Sequence, residues 1–343
     1  MKVVVLPFVF LLCSSAVAQS GFSIREKSEN KKVEIYFNDK LVTAYCYFDS
    51  TEKPVLFPIK TLSGITVTRG YPIKPRTGER TDHPHHVGLW LNYENVNGLD
   101  FWNNSAAIPA DKKSSYGSIK HQSVVLALAG ADNAVLKTSS HWVDHTGTVL
   151  LEEITEFIFR RDQGDFIIDR SSTLRAALKE VNFKDVKDGL LGLRVARELE
   201  MPSRQEDNFV DANGNITAMK VMNNDDATGL YVNHDDVLGD DTWGKRSRWT
   251  CLNGRKDGQR ISIAIIDHPT NIGAPTYWHA RGYGLFAANP LGQKIFSGGK
   301  EELNFKLLEN QEATFRYRIV IHEGPAYLSR REVNYFMEDF EKK

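Results

Sequence analysis

Residues 150–174 read LLEEITEFIFRRDQGDFIIDRSSTL. Apolar and polar side chains alternate over 150–159 and again over 166–174, and a period of two residues is typical of β-strands with one buried face. The Asp-Gln-Gly sequence at 162–164 carries residue types that favour tight turns. The stretch therefore predicts two consecutive strands joined by a short turn.

The same pattern recurs along the rest of the chain. Further strand candidates lie at 33–37, 41–48, 124–128, 192–199, 262–267, 284–288 and 313–322. Turn-forming residues separate them, and the alternation of strands with long helices that marks a parallel sheet is missing. Only the tail at 327–340 has apolar residues at helical spacing. The sequence predicts an all-β fold, a large antiparallel β-sandwich with a short C-terminal helix, as a single domain over 19–343.

The N-terminus has the features of a secretory signal peptide. Lys2 precedes an apolar run at 3–13, and the small-residue sequence Ala16-Val17-Ala18 follows. These are the charged, apolar and cleavage regions of such a signal. We therefore expect residues 1–18 to be removed and the mature protein to be periplasmic or secreted. The apolar run is about half of the ~20 residues that a spanning helix needs, so no membrane span is expected.

Composition and motifs exclude some classes of binding partner and some catalytic mechanisms. With 43 basic and 44 acidic residues, the chain has no net field that would attract nucleic acid. The sequence also has no Gly-x-Ser-x-Gly elbow and no His-Glu-x-x-His motif. Two cysteines, Cys46 and Cys251, remain after removal of the signal. In an oxidising compartment they are free to form a disulfide, and two buried thiols are the alternative.

Chemistry-bearing residues concentrate between positions 80 and 102. His83, His85 and His86 are three of the ten histidines and follow directly on Asp82. Neutral imidazole is a common metal ligand, and its pKa near neutrality also suits proton transfer. The cluster therefore predicts a functional site. The alternative is a proline-ordered turn whose histidines only hydrogen-bond the backbone.

The alternation of a strand assigns faces to this segment. If a strand begins near His86, then His86 and Trp90 lie on the open face, whereas Val87 and Leu89 point into the core. A tryptophan ring on an open face can stack on a sugar, and an imidazole beside it can exchange a proton. We therefore expect Trp90, together with Trp102, to form a stacking platform.

A second group of polar and aromatic residues lies at 277–284. Arg281 has the planar fork that binds a carboxylate or a hydroxyl pair, and Trp278 can stack on a ring. The alternative for Trp278 and Tyr283 is a role as core aromatics. Between the two groups, 243–249 again pairs cations with tryptophans and is a candidate third rim of the same cleft.

These motifs resemble those of a known family. The run Asp82-His83-Pro84-His85-His86-x-Gly88-Leu89-Trp90, the segment 96–102 and the segment 278–284 are similar to the DUF6807 family, whose members often carry the label "methane oxygenase PmoA". The resemblance implies a carbohydrate context and a supersandwich fold like that of galactose mutarotases. The label itself implies an oxidoreductase-like protein that binds copper or zinc.

The main hypothesis is an exported carbohydrate-active enzyme, a hydrolase or lyase acting on a glycan or an oxidised sugar. In it, His85 or His86 is the general acid/base, Asp82 or Asp100 orients the imidazole, and Arg281 and Asn97 hold hydroxyls. The candidate catalytic residues are Asp82, His83, His85, His86, Asp100 and His279. The candidate substrate-binding residues are Trp90, Asn97, Trp102, Trp278, Arg281 and Tyr283.

Three other functions stay open at this point. A sugar mutarotase or epimerase would use the same parts. A non-catalytic carbohydrate-binding protein would need the tryptophans and Arg281 but not the imidazoles. A metal protein would use His83 and His85, with or without His86, as ligands of a divalent copper or zinc ion. A carbohydrate is the expected partner in the first two cases.

Overall fold

The computed structural model describes residues 20–343. The predicted signal peptide at 1–18 therefore lies outside the described residues. Within 20–343, no helix has both the length and the apolar character needed to cross a membrane.

Strands dominate the described chain. They are β1 (Phe22–Lys27), β2 (Lys32–Phe37), β3 (Lys40–Cys46), β4 (Val55–Leu56), β5 (Leu89–Tyr93), β6 (Ser118–Ala129), β7 (Asn133–Val143), β8 (Val149–Asp162), β9 (Asp165–Ala176), β10 (Glu180–Asn182), β11 (Gly189–Arg194), β12 (Leu230–Asn233), β13 (Trp249–Lys256), β14 (Gln259–Asp267), β15 (Tyr277–Arg281), β16 (Leu285–Asn289), β17 (Lys306–Leu308) and β18 (Glu312–Gly324). The α-helices are α1 (Gln293–Phe296) and α2 (Arg330–Phe340), and 3₁₀ turns occupy Ser28–Asn30, Asp49–Thr51, Ala110–Ser115, Arg197–Leu199 and Gly239–Thr242.

Two eight-stranded antiparallel sheets pack face to face. Sheet A has the order β1-β2-β3-β4-β5-β11-β16-β15, and sheet B has the order β12-β13-β14-β18-β9-β8-β7-β6. Strands β10 and β17 form a separate pair. The main core lies between the sheets, where every second residue of a strand points inward, as Leu89 and Leu91 do in β5. The predicted antiparallel β-sandwich is thereby confirmed.

The outer face of sheet B is covered by α2. Val333, Phe336, Met337 and Phe340 of this helix are buried against the outward side chains of the sheet. The helix begins with a capping box, in which Ser329 and Glu332 each bond the other's backbone N–H. The predicted C-terminal helix is confirmed, although it begins at Arg330 rather than at 327.

The outer face of sheet A carries the histidine cluster. Trp90 of β5 points outward and packs on Trp102, which comes from the loop after β5. The facing position in the neighbouring strand is Gly192, where a Cβ would lie 2.4 Å from the Trp90 ring. A glycine is therefore required there, because a side chain would collide with the rings of both Trp90 and Trp102.

Several boundaries differ from the predictions. The strand predicted at 192–199 ends at Arg194, and its last three residues form a 3₁₀ turn. The strand predicted to begin near His86 begins at Leu89, and Val87 packs beside Trp90 on the outer face instead of in the core. The segment at 277–281, which is not among the predicted strands, is strand β15. The alternation of apolar and polar residues does not predict these strand ends, because side-chain contacts of the adjoining loops determine where the strands begin and end.

The two cysteines are free thiols on opposite outer faces of the sandwich. Cys46 is buried against sheet A, with its Sγ 3.3 Å from the carbonyl of Phe57, and Cys251 is buried under α2. Both sheets lie between them, so the disulfide considered from sequence is absent and the buried-thiol alternative holds. Burial raises the pKa of each thiol to about 12.

Candidate functional site

Asp82 is the centre of the site and is held by two buried arginines. Its Oδ1 accepts hydrogen bonds of 2.7 Å from Arg69 and 2.7 Å from Arg194, and both guanidinium groups are almost inaccessible to solvent. Burial by itself would raise the pKa of the carboxyl, but Arg194, His83 and Arg69 outweigh it and the pKa lies well below its usual range. Asp82 is therefore a fixed anion at neutral pH.

Arg69 also fixes the backbone that carries the histidines. Its guanidinium donates to the carbonyl oxygens of Arg80, Asp82, His83 and His86. These bonds hold His83 at a φ of 43°, a left-handed conformation that non-glycine residues seldom adopt. The position of the His83 ring is thus imposed by its surroundings.

His83 is the histidine that combines exposure with a carboxylate partner. Nδ1 of His83 lies 2.5 Å from Oδ2 of Asp82, and 42% of its side chain is exposed. Because the anionic carboxylate can only accept, the proton of a neutral imidazole lies on Nδ1. Nε2 then carries the lone pair, as a general base requires.

His86, one of the two predicted proton carriers, is a buried support. Its Nε2 accepts a 3.2 Å hydrogen bond from Nε1 of Trp102, and its Nδ1 lies 3.4 Å from Arg194. Burial, reinforced by the neighbouring cations and histidines, lowers its pKa well below the ordinary value. It is neutral at physiological pH, and its lone pair is already used. The prediction that His86 is the acid/base is therefore not supported by its environment.

His85, the other predicted proton carrier, is also buried. Burial, with Lys53 as the next cause, lowers its pKa to about 2. Its backbone carbonyl accepts a 2.7 Å hydrogen bond from Nζ of Lys53, and burial lowers the pKa of that lysine to about 7. Among the described residues, Nε2 of His85 has no hydrogen-bond partner. Its position suits support of the segment better than contact with a ligand.

The imidazole rings do not converge as metal ligands would. His83 and His86 lie 4.7 Å apart with an interplanar angle of 2°, so they stack face to face. Nδ1 of His83 is occupied by Asp82, and Nε2 of His86 by Trp102. Within residues 20–343, no group of three or more His, Cys, Asp or Glu side chains is placed to hold a metal ion. The copper or zinc hypothesis does not fit this arrangement.

A cleft opens beside His83. The His83 ring stacks on Tyr283 at 5.1 Å with an interplanar angle of 4°, and Tyr283 forms part of the cleft wall. The cleft is lined by Arg80, Met201, Pro202, Ser203, Gln205, Asp240, Trp243, Arg281, Gly282 and Tyr283. Polar and aromatic groups alternate in this lining, which suits a ligand with hydroxyl groups and flat apolar faces.

Trp243 is the tryptophan of the site that a ligand can reach. It is 36% exposed, whereas the other five tryptophans of the chain are at most 2% exposed. Arg281 lies between two rings, with its guanidinium carbon 6.0 Å from the centroid of Trp243 and 6.0 Å from that of Tyr283. The predicted third rim at 243–249 thus contributes Trp243 to the cleft.

Glu200 closes the network below the cleft. Arg80 donates to Glu200 at 2.9 Å, to Asp207 at 3.0 Å and to Asn224 at 2.9 Å. Oε1 of Glu200 lies 3.7 Å from Arg194, which links this group to Asp82. Asn224 also donates a 2.9 Å hydrogen bond to Oε2 of Glu200, so the carboxylate is held by two arginines and an amide and supports the floor of the cleft.

Three tryptophans predicted to stack on a sugar are inaccessible. Trp90 and Trp102 lie under the histidines, and Trp278 lies between the two sheets with its Nε1 bonded to the carbonyl of Ser247. The prediction of a platform from these residues is corrected. Their apolar bulk favoured burial, and Trp243 is the exposed ring instead.

The remaining predicted residues lie apart from His83. Asp100 accepts bonds from the backbone and side chain of Asn103 and orients no imidazole. Asn97 bonds the backbone of Glu180 and Asn182, so its amide holds a loop. His279 is buried on β15, with Nδ1 3.2 Å from the carbonyl of Lys187, and burial lowers its pKa to about 4.

Sequence reasoning missed the residues that organise the site. No motif marks Arg69, Arg194 or Glu200, and the last two lie in a stretch, 194–200, that carries four charged residues. Arg194 had one available signal, because a charged residue at the end of an apolar strand is expected to be paired. Its partner could not be read from spacing, since 112 positions separate it from Asp82.

Comparison with known sequences gives one match. The profile of a family described as "Family of unknown function (DUF6807)" matches residues 32–336. A search of the curated proteins finds no match.

Solved structures give distant matches. An α-galactosidase of family GH36, AgaB from Geobacillus stearothermophilus, is 8% identical with a TM-score of 0.38, and the match covers 88% of this chain and 41% of that one. A galactose 1-epimerase from Lactobacillus acidophilus NCFM is 10% identical with a TM-score of 0.34, and the match covers 90% of this chain and 100% of that one. This chain therefore spans less than half the length of the α-galactosidase.

Proposed function

We propose that this chain, which belongs to the DUF6807 family, is a sugar mutarotase or epimerase in which His83 exchanges a proton with a sugar bound in the adjacent cleft. The observation that carries the proposal is the Asp82–His83 pair, whose carboxylate is fixed by two arginines and whose imidazole is half exposed.

His83 has the properties of a general base. Asp82 accepts from Nδ1, so Nε2 is the free acceptor, and the fixed anion stabilises the imidazolium that forms on proton uptake. In the proposed mutarotation, Nε2 takes the proton of the anomeric hydroxyl, the bond between the anomeric carbon and the ring oxygen breaks, and the ring oxygen gains a proton. Rotation of the freed carbonyl and the reverse steps give the other anomer.

Tyr283 is the donor that we assign to the ring oxygen. Burial raises the pKa of its phenol to about 12, so the hydroxyl keeps its proton at neutral pH. Its ring lines the cleft and stacks on the ring of His83, so Tyr283 connects the proposed base to the cleft wall. Trp243 supplies an exposed ring for one face of the sugar.

The same geometry disfavours a glycoside hydrolase. Both hydrolytic mechanisms of the common type need a pair of available carboxyl groups. Asp82 and Glu200 are each engaged by arginines, and Asp240 is the one carboxylate among the described residues that line the cleft. Reactions that need a single base therefore fit better than reactions that need two carboxylates.

The direct test is the rate of anomer exchange. Freshly dissolved α-anomers of several aldoses are followed by polarimetry, and exchange at equilibrium is followed by NMR, with and without the protein. We expect acceleration by the parent protein and a loss of about 100-fold or more in His83→Gln, as removal of a general base typically causes.

A matched control keeps the test specific. His145 is an exposed histidine in the turn between β7 and β8, and His145→Gln should leave the rate unchanged. Full activity of His83→Gln, or no acceleration with any sugar, would contradict the proposal. Retained sugar binding without acceleration would instead support the non-catalytic binding protein.

We also propose that the enzyme works in the periplasm or outside the cell. The proposal rests on the charged, apolar and small-residue regions at 1–18. Expression of the full chain in a bacterial host with a secretion pathway, followed by mass spectrometry of the exported fraction, should give a mature protein that begins at Gln19. Retention of an intact N-terminus in the cytoplasmic fraction would contradict it.

A further inference from the structure

We propose that Arg281 selects sugars that carry a carboxylate, such as hexuronates, over their neutral parents. This inference rests on the proposed function, because it names the substrate class of the same cleft. It is argued from the one guanidinium of the cleft that has no carboxylate partner.

The other arginines of the site are each paired with at least one carboxylate. Arg69 and Arg194 share Asp82, and Arg80 pairs with Glu200 and Asp207. Three arginines are thus balanced by three carboxylates. Their charges are neutralised within the protein, so they attract an added anion only weakly.

Arg281 differs from all three. Among residues 20–343, no carboxylate lies within 4.0 Å of its guanidinium, and its side chain makes no hydrogen bond. It stands at the exposed end of β15, where the strand leaves the sheet and its neighbours on the same strand are buried. A cation that lines a cleft without an internal partner is available to a ligand.

The surroundings of Arg281 orient it without neutralising it. Trp243 and Tyr283 flank the guanidinium, each ring centroid 6.0 Å from its central carbon. Such contacts restrict the side chain while leaving the edge with its N–H groups free. A guanidinium edge of this kind binds a carboxylate with two parallel hydrogen bonds, which a hydroxyl cannot match.

Asp240 limits how the ligand can bind. It lies in the same lining, and its Oδ1 accepts a 3.3 Å hydrogen bond from the backbone N–H of Gly282. A ligand carboxylate would therefore bind on the side of Arg281 that faces away from Asp240, and sugar hydroxyls would donate to Asp240. The cleft offers one place for a negative group and one for donors, as a hexuronate requires.

The test compares sugars that differ only at C6. Titration calorimetry with galacturonate against galactose, and with glucuronate against glucose, measures the preference at low ionic strength. We expect the uronate to bind at least about tenfold more tightly, with a preference that falls as salt is added. Arg281→Gln should remove the preference, and Arg281→Lys should restore part of it.

Two further variants separate the contribution of ring stacking to affinity from that of the Arg281 guanidinium. Trp243→Ala should weaken binding of both the uronate and the neutral sugar through lost stacking, and it should reduce the uronate preference less than Arg281→Gln does, because Tyr283 still flanks the guanidinium. Arg331→Gln, which changes an exposed arginine on α2 at the far face of sheet B, should change neither affinity.

The outcomes distinguish this inference from the proposed function. Equal affinity for both members of each pair, together with anomer exchange that depends on His83, would overturn the role of Arg281 and leave the mutarotase proposal standing. A uronate preference that Arg281→Gln removes, without any anomer exchange, would support Arg281 and overturn the mutarotase. Absence of binding to all four sugars would overturn the inference.

Discussion

Nδ1 of His83 lies 2.5 Å from one oxygen of Asp82, while the other oxygen of the same carboxylate accepts hydrogen bonds from Arg69 and Arg194. The carboxylate therefore has two tasks. It neutralises two buried cations and it sets the tautomer of an exposed imidazole. Changes at Asp82 should consequently affect stability and catalysis together, whereas changes at His83 should affect catalysis alone.

Asp82→Asn should destabilise the fold by about 3–5 kcal/mol, because a neutral amide leaves the buried Arg69 without a counterion and leaves Arg194 only Glu200, 3.7 Å away. The lowered pKa of Asp82 stabilises the folded state above the unfolded value of about 3.9, and this contribution is lost as pH falls through the folded pKa. Urea unfolding of parent and variant between pH 3 and 7 should show the difference shrinking with acid. The exposed Asp132→Asn is the control, and a pH-independent difference would contradict the reasoning.

Lys53→Met should change the alkaline stability profile. Burial lowers the pKa of Lys53 to about 7, so between pH 7 and about 10.4 the unfolded chain binds the proton that the folded chain has lost. Stability of the parent should therefore rise with pH in this window, by up to about 1.4 kcal/mol per unit. Denaturation curves at pH 7, 8, 9 and 10 test this. In Lys53→Met that slope should vanish, and parallel profiles of the two proteins would rule the effect out.

Trp243→Ala should mainly reduce the affinity for sugar, whereas Trp90→Ala should mainly reduce the stability of the fold. Trp243 is 36% exposed in the cleft, so its loss should reduce sugar affinity about tenfold or more at a cost of about 1 kcal/mol in stability. Trp90 is fully buried, so its loss should cost about 3–5 kcal/mol. Calorimetric titration and thermal unfolding of both variants measure the two quantities. Equal stability losses in the two variants would contradict the assigned positions.

Ser329→Ala should loosen the helix that covers sheet B. The hydroxyl accepts from the backbone N–H of Glu332, and loss of such a cap typically costs about 1 kcal/mol. Thermal unfolding should register this loss while anomer exchange at 25 °C stays unchanged, because α2 lies on the opposite side of the molecule from the cleft. A loss of activity in the folded variant would show that the two faces are coupled.

The fold was largely predictable from alternation. The strands predicted at 150–159 and 166–174 are β8 and β9, and their turn is where the sequence places it. Prediction failed where a side chain far away in sequence decides the backbone. Alternation predicts that a strand begins near His86, but Arg69 binds four carbonyl groups of the 80–88 region and holds it as a loop.

The sequence predicts where the candidate site lies, but it does not predict which role each of its residues has. The Asp-His-Pro-His-His run lies beside Tyr283, which in turn lies beside Arg281, and composition alone singled the run out. Which histidine is exposed could not be read from its neighbours, because the burial of His86 depends on Trp102 and that of His85 depends on Lys53. Likewise, five of the six tryptophans are buried, and nothing in the sequence marks Trp243 as the exposed one.

The two free thiols allow local opening of the two outer faces of the sandwich to be measured separately. Cys46 lies beneath the site on sheet A and Cys251 beneath α2 on sheet B, and burial keeps both in the unreactive protonated form. A thiol reagent modifies either one only after its own layer opens. In single-cysteine variants, the labelling rate of Cys46 therefore measures how often the layer that carries the candidate site opens, and that of Cys251 measures how often α2 detaches from sheet B. Slower labelling of Cys46 alone in the presence of a sugar would map ligand binding onto one face without an activity assay.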